Sequence, residues 1–155
     1  MNKTGEYRFT IVVPVYNEVD NIYALEKALS EFLPKSKYKA CALFVNDGSS
    51  DGSLERIQEV CARNNDFHYI SFVKNAGLSA AIKAGFDYTF SDYVGYMDAD
   101  LQTTPEDFNL LLDGIESHSM VIGIRANRKD TFFKRAQSKI ANGFRKMMTL
   151  SLIHI

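Results

Sequence analysis

Cysteine and histidine are scarce in this chain, which has two cysteines and three histidines in 155 residues. Cys41 and Cys61 fall inside apolar periodic segments and lack ligand-like spacing, which argues against a disulfide scaffold or a zinc site and reads as buried free thiols of a reducing compartment. His68, His118 and His154 are scattered between elements with no partner spacing, so each reads as a surface or boundary position. No apolar run approaches the roughly 18 residues of a transmembrane helix. The start, Met1-Asn2-Lys3-Thr4-Gly5-Glu6, has no apolar signal region, so a cytoplasmic location is expected. Neither Gly-x-Gly-x-x-Gly nor Gly-x4-Gly-Lys-Ser/Thr occurs, which excludes the dinucleotide fingerprint and the P-loop. There is no internal repeat, linker or low-complexity tract, and residues 1–155 read as one domain.

What is present is 46% hydrophobic and 24% charged, enough to build a substantial core. The net charge of −1 is unevenly spread. Residues 1–124 carry 10 Lys/Arg and 18 Asp/Glu, whereas residues 125–155 carry 8 Lys/Arg and one acid. A basic end on an acidic body meets something anionic, such as phosphate or a membrane surface, or else packs as a solvated helix face or against the acidic body itself.

Apolar β-branched runs alternate with helical patterns. Strands are expected at Phe9–Val13, Cys41–Val45, Tyr69–Val73, Tyr93–Met97 and Met120–Ile124. Helices are expected over Asn21–Leu33, Ser53–Arg63, Ser79–Phe90 and Pro105–Glu116, with Thr104 as cap of the last. A further basic amphipathic helix, Phe132–Met148, sets Ile140, Phe144, Met147 and Met148 beside Lys134, Arg135, Lys139, Arg145 and Lys146. Continuous hydrophobic strands separated by helices specify an α/β fold: a Rossmann-like, mostly parallel sheet with helices on both faces.

The polar residues that need explaining fall just after strands, where open α/β sheets bind ligands. Tyr96-Met97-Asp98-Ala99-Asp100-Leu101-Gln102 closes what reads as a buried strand, and in extended backbone Asp98 and Asp100 point one way while Ala99 turns aside. Two adjacent carboxylates repel unless a cation or proton lies between them, and hard oxygen ligands with open positions suit Mg²⁺ or Mn²⁺ carrying a diphosphate. Asp-x-Asp also occurs in solvated turns, so the pair has meaning only with its neighbours. Asp47, at the end of the second strand, could accept hydrogen bonds from a base or ribose, while Ser50 or Asp51 would cap the following helix. In the loop after the first strand Pro14 fixes the exit, Tyr16 could cover a base and Glu18 could accept from its edge or the ribose; the same loop would serve equally as a helix cap. Lys74 could steer a diphosphate or be simply solvated, and Gly77 permits close backbone approach at a helix start.

Ile11-Val12-Val13-Pro14-Val15-Tyr16-Asn17-Glu18, Val45-Asn46-Asp47-Gly48-Ser49-Ser50-Asp51, Asn75-Ala76-Gly77 and Met97-Asp98-Ala99-Asp100-Leu101-Gln102 followed by Pro105-Glu106 together resemble the family 2 glycosyltransferases of GT-A fold, over about residues 8–148. The Asp98–Gln102 form, Gly123-Ile124-Arg125 and Phe133-Lys134-Arg135 with Ser138 most resemble the dolichyl- and undecaprenyl-phosphate sugar transferase branch. The resemblance implies inverting transfer of a hexose from a UDP- or GDP-sugar. Mg²⁺ or Mn²⁺ would be bound by Asp98, Asp100 and Gln102, and Pro14, Tyr16, Glu18, Asp47 and Asp98 would line the nucleotide pocket. A lipid-phosphate acceptor at the inner membrane surface is already anionic and needs cations rather than a base, a role for Arg125 and Arg135 with Arg128 and Lys134. The nucleotide part would cover about residues 8–124 and the acceptor side 125–148, with the end looking truncated and Leu150, Leu152, Ile153 and Ile155 favouring self-association. Nucleic acid is not an expected partner, since the basic residues have no stacking motif and the acidic body would oppose a duplex. Two alternatives stand beside this reading: a non-catalytic sugar-nucleotide-binding domain, and a transferase to a saccharide hydroxyl in polysaccharide synthesis.

Overall fold

The computed structural model describes residues 6–123. In chain order they form β1 (Phe9–Val15), α1 (Ile22–Phe32), β2 (Ala40–Asn46), α2 (Ser53–Arg63), β3 (Phe67–Ser71), α3 (Leu78–Tyr88), β4 (Tyr93–Tyr96) and α4 (Asp107–Gly114), with 3-10 turns at Leu33–Lys35 and Ile115–Ser117. The four strands make one sheet in the order β3-β2-β1-β4, and every pairing is parallel. The compact unit containing them ends at Ile122.

The two-residue period of the strands sorts the core. Phe9, Ile11, Val13 and Val15 of β1 face Ile22, Leu25, Leu29 and Phe32 of α1, Ile57 and Val60 of α2, and Phe108 and Leu112 of α4. On the opposite face Val12, Leu43 and Val45 meet Ala81 of α3. Residue 85 of α3 must be glycine for this contact, because a Cβ there would lie 2.4 Å from Val12 Cγ1. All residues of β1 and β2 are buried, as expected for strands covered on both sides.

Several expectations are corrected. β3 begins at Phe67, earlier than the expected Tyr69, because Phe67 packs edge-on against Phe44 with ring centroids 5.7 Å apart. It ends at Ser71, opposite the end of β2, and Val73 beyond it is fully exposed. β4 is half-buried rather than buried, because among the described residues it pairs on one side only. Met120–Gly123, expected as strand, have no ladder partner among the described residues and are not in one; Met120 and Ile122 are exposed. Apolar β-branched content alone does not make a strand without a neighbour to bond. Gly52, at φ +90°, stands at the N-cap of α2 in place of Ser50 or Asp51, and Glu106 takes that place for α4 in place of Thr104. Cys61 is half-buried, not buried, while Cys41 is buried. The expected helix over Phe132–Met148, Ile124, the apolar end and the candidates Arg125, Arg128, Lys134, Arg135 and Ser138 lie outside the described residues.

Candidate functional site

Chain connectivity creates the site. The chain steps from β1 to β2 to β3 in one direction and then crosses back to place β4 on the other side of β1, so the loops leaving β1 and β4 diverge. Pro14 lies where they part. Val12 O accepts from Met97 N at 3.1 Å on the β4 side, and Val15 O accepts from Asp47 N at 2.8 Å on the β2 side. By alternation the N–H that Pro14 lacks would have pointed toward β4, whose last pair with β1 is Val12↔Tyr96. A proline is therefore tolerated in a central strand because its missing donor falls where the ladder has ended.

At this divergence opens a cleft of about 300 Å³, lined by Pro14, Val15, Tyr16 and Glu18 after β1, Asp47 after β2, Asn75, Gly77, Leu78 and Ala81 around the start of α3, and Asp98, Ala99 and Asp100 after β4. The structure thus brings together Pro14, Tyr16, Glu18, Asp47, Gly77, Asp98 and Asp100. Lys74 is exposed and does not line the cleft, nor does Gln102, whose backbone N–H instead donates to Asp100 Oδ1 at 3.0 Å. Asp98 and Asp100 lie beyond the end of β4, with Ala99 and Asp100 in a turn. Ala99 between them is buried in the core and Leu101 takes φ +55°, a turn that leaves Asp98 half-buried and Asp100 exposed.

Two loops are stitched together to hold Tyr16 and Glu18. Ser49 Oγ accepts from Asn17 N at 3.0 Å, and Asn17 Oδ1 accepts from Ser50 N at 2.9 Å. Ser53 Oγ accepts from Glu18 N, and Asp51 accepts from Val19 N and from both Ser53 N and Ser53 Oγ. Burial pushes the Asp51 carboxyl up, but these donors outweigh it and hold it below the usual carboxylate range. Glu18 Oε2 in turn accepts from Asn21 Nδ2 at 2.6 Å, which orients its side chain at the cleft.

Asp47, only 2% exposed, is the anchor of the opposite wall. Its carboxylate accepts from Ala76 N at 2.7 Å, Gly77 N at 2.9 Å and Asn75 Nδ2 at 3.0 Å. Of its roughly four lone-pair positions three are thus spent on the loop before α3. Asn75, singled out in sequence only as part of a motif, is a cleft residue in its own right. Its signal was the polar Asn-x-Gly after a strand, but its pairing with Asp47 spans 28 positions and is invisible in local pattern.

Among the described residues no group of three His, Cys, Asp or Glu side chains stands together to hold a metal ion. Four carboxylates line the cleft; Asp47 is engaged by the loop before α3 and Glu18 by Asn21, and Asp98 and Asp100 are the remaining pair, hard oxygens that leave most of a coordination sphere open. That suits Mg²⁺ or Mn²⁺ shared with substrate phosphates rather than a closed structural site.

Similar proteins agree with this architecture. A glycosyltransferase of Bacillus subtilis, YkcC, is 39% identical over 133 residues, covering 83% of this chain and 40% of its own. The undecaprenyl-phosphate 4-deoxy-4-formamido-L-arabinose transferase of Aeromonas hydrophila is 33% identical over 144 residues, 92% of this chain and 44% of its own. The chain thus spans about two-fifths of the length of these relatives. Among solved structures, the mannosyltransferase PcManGT of Pyrobaculum calidifontis, in complex with GDP-Man and Mn²⁺, superposes with a TM-score of 0.56 at 22% identity over 65% of this chain and 30% of that one. TarS of S. aureus, in complex with UDP-GlcNAc, gives 0.59 at 18% identity over 80% of this chain and 37% of that one. These likenesses bear out the GT-A fold, a mostly parallel sheet with helices on both faces. Residues 10–154, nearly the whole chain, match the glycosyl transferase family 2 profile, and with a cleft at the sheet's switch point ringed by the residues that the motifs carry, the chain belongs to that family.

Proposed function

We propose that the protein is an inverting glycosyltransferase that moves a hexose from a UDP- or GDP-sugar to polyprenyl phosphate. The observation that carries this reading is the convergence of Asp98 and Asp100 with Tyr16, Glu18 and Asp47 on one cleft at the switch point of the sheet. The names of the relatives, undecaprenyl-phosphate sugar transferases among them, support the acceptor, and solved neighbours holding GDP-Man with Mn²⁺ or UDP-GlcNAc support the donor.

In this reading Asp98 and Asp100 hold Mg²⁺ or Mn²⁺ against the donor, with Gln102 setting the orientation of Asp100 through its backbone N–H. The cation, when bound, supplies Lewis-acid neutralisation of the diphosphate as the glycosidic bond opens. Tyr16 covers the nucleoside, Pro14 shapes the floor, and Glu18 accepts from the ribose or base edge. Gly77 lets the α3 start approach closely, and Lys74, outside the cleft, draws the anionic donor toward it. The lipid phosphate attacks the anomeric carbon from the face opposite the leaving diphosphate, and as an anion it needs no general base. The cations this reading assigns to the lipid phosphate are Arg125 and Arg135, with Arg128 and Lys134 near them in sequence. In this proposal residues 8–124 supply the donor side and 125–148 the acceptor side, and the enzyme works at the cytoplasmic face of the membrane. No helix among the described residues is long and apolar enough to cross that membrane.

Calorimetric titration of UDP and of GDP, with Mn²⁺ and with chelator, tests the reading. One nucleotide should bind only with the cation, and Asp98→Asn and Asp100→Asn should each weaken that binding at least about tenfold. Unchanged affinity in both variants refutes it.

A further inference from the structure

Far from the Asp98 and Asp100 pair, β3 forms an edge of the sheet and among the described residues pairs with β2 alone. Asp66 O accepts from Ala42 N at 2.9 Å and Phe72 N donates to Asn46 O at 2.8 Å, so by the alternation of a parallel ladder His68 and Ile70 also turn their backbone groups toward β2. Tyr69 and Ser71 therefore turn N–H and C=O outward. Phe67 turns out its C=O, its N–H being held by Asn64 O at 3.2 Å. Native edge strands are blunted by lysine, proline or a bulge. Residues 67–73 hold no Lys, Arg, Asp, Glu or Pro, Tyr69 is 39% exposed and Val73 fully so. Charge stands only at the two ends, with exposed Asp66 before the strand and exposed Lys74 after it.

We infer that this edge is a self-complementary interface, on which β3 pairs antiparallel with β3 of a second copy of the chain about a two-fold axis at Ile70. In that register Tyr69 faces the second copy's Ser71 and exchanges both backbone bonds with it, and the symmetry repeats the pair. Ile70 meets its own mate and His68 meets Phe72 at the closer, non-hydrogen-bonded positions. Ile70 and Phe72 already pack against the Val12, Leu43 and Val45 side of the core, which the contact extends. Each Asp66 comes opposite the other copy's Lys74. Shifting the register by one residue sets outward backbone groups against inward ones, and shifting it by two sets Asp66 against Phe72 or Lys74 against His68. Backbone direction and charge thus select the same register, and a two-fold pair closes at two copies instead of growing. One strand pair falls short of the about 1,000 Å² of a stable interface, so the dimer exchanges, with a Kd on the order of 10–100 µM.

Sedimentation velocity and amide hydrogen exchange on the whole chain, from about 1 to 300 µM, test the pairing. A monomer–dimer equilibrium is expected, with the amides of Tyr69 and Ser71 gaining protection in step with the dimer fraction. Lys74→Glu and Asp66→Lys each set like charges together at both ends of the pair and should each weaken self-association at least about fivefold. Mixed in equal amounts, the two variants should associate within about twofold of the wild type, because every facing pair is again opposite in sign. Damage to the fold would not be repaired by mixing. Asp66 also accepts from Tyr7 Oη at 2.8 Å, so Tyr69→Pro stands in if Asp66→Lys does not fold. It removes an outward N–H without touching the β2 ladder and should abolish the dimer. A monomer throughout the range, oligomers that grow past the dimer, or a dimer in which those amides stay unprotected overturns the inference. So does protection that is independent of concentration, the mark of a segment of the same chain lying on the edge, and so does a dimer that all these variants leave unchanged.

Discussion

A Cβ on Gly48 would stand 2.4 Å from the carbonyl carbon of Lys74, and the residue holds φ +66°. Gly48→Ala therefore combines a backbone clash with left-handed strain. It should destabilise the chain by about 1–3 kcal/mol, visible as a lower urea midpoint, and loosen nucleotide binding by shifting the Asn75 loop. Cys41 makes a contrasting prediction. Burial pushes its thiol up to about 11, only partly offset by its contact with Thr10 Oγ1 at 3.3 Å. Iodoacetamide near pH 8 should leave Cys41 unmodified in the folded chain and alkylate it once urea unfolds the protein, as peptide mass mapping would read. Rapid labelling of the native protein at Cys41 would contradict the burial. At this scale the identities of the cleft acids were legible, because polar residues directly after apolar strands have few structural reasons to be there. Their partners were not: that Asp47 spends its oxygens on Ala76 and Gly77 follows from two loops meeting in space.

Between elements, charge and close packing do different work. α1 and α2 are tied by Arg63, which donates to both oxygens of Glu26 and to Glu59, while Asn64 Nδ2 adds a bond to Glu26 at 2.9 Å. The Arg63 bonds are the main reason that the Glu26 carboxyl is held below its usual range, despite the opposing pull of burial. Asp51, which joins the first two site loops, is depressed too. A carboxyl depressed in the folded chain contributes stability that is full above its unfolded value and lost as pH falls through the folded one. The destabilisation caused by Glu26→Gln or Asp51→Asn should accordingly be largest near pH 7 and shrink from about pH 4 downward, as urea midpoints across a pH series would record. A constant gap across that series would show that the bonds contribute no titrating stability. Among the described residues helix positions were legible to within a residue or two, because a 3.6-residue stripe such as Ile22, Leu25, Leu29 and Phe32 is dictated by the face it buries. Strand ends were less so. β3 and the Met120–Gly123 run depended on which neighbour offered a ladder, which no local pattern records.

For the molecule as a whole, a ligand that binds only the folded chain raises its stability by mass action. UDP or GDP at about a hundred times its Kd should add about 2.7 kcal/mol and raise Tm by several degrees in the presence of Mn²⁺. Chelator should abolish that shift, and a shift that survived chelation would separate nucleotide binding from the Asp98 and Asp100 pair. The sequence by itself determined the class of the fold and the ends of strands that bear chemistry. Apolar periodicity is a local consequence of burying one face or both, and Pro14, Asp47, Asn75 and Asp98 are punctuation at the exits. Tertiary structure alone decided the strand order β3-β2-β1-β4 and with it everything that depends on a reversal of direction. The reversal opens the cleft beside Pro14 and brings the acids after β4 opposite the loops of β1 and β2. The physical reason is that hydrogen bonds between strands and between loops join residues far apart in the chain, and their partners are chosen by topology rather than by neighbours in sequence.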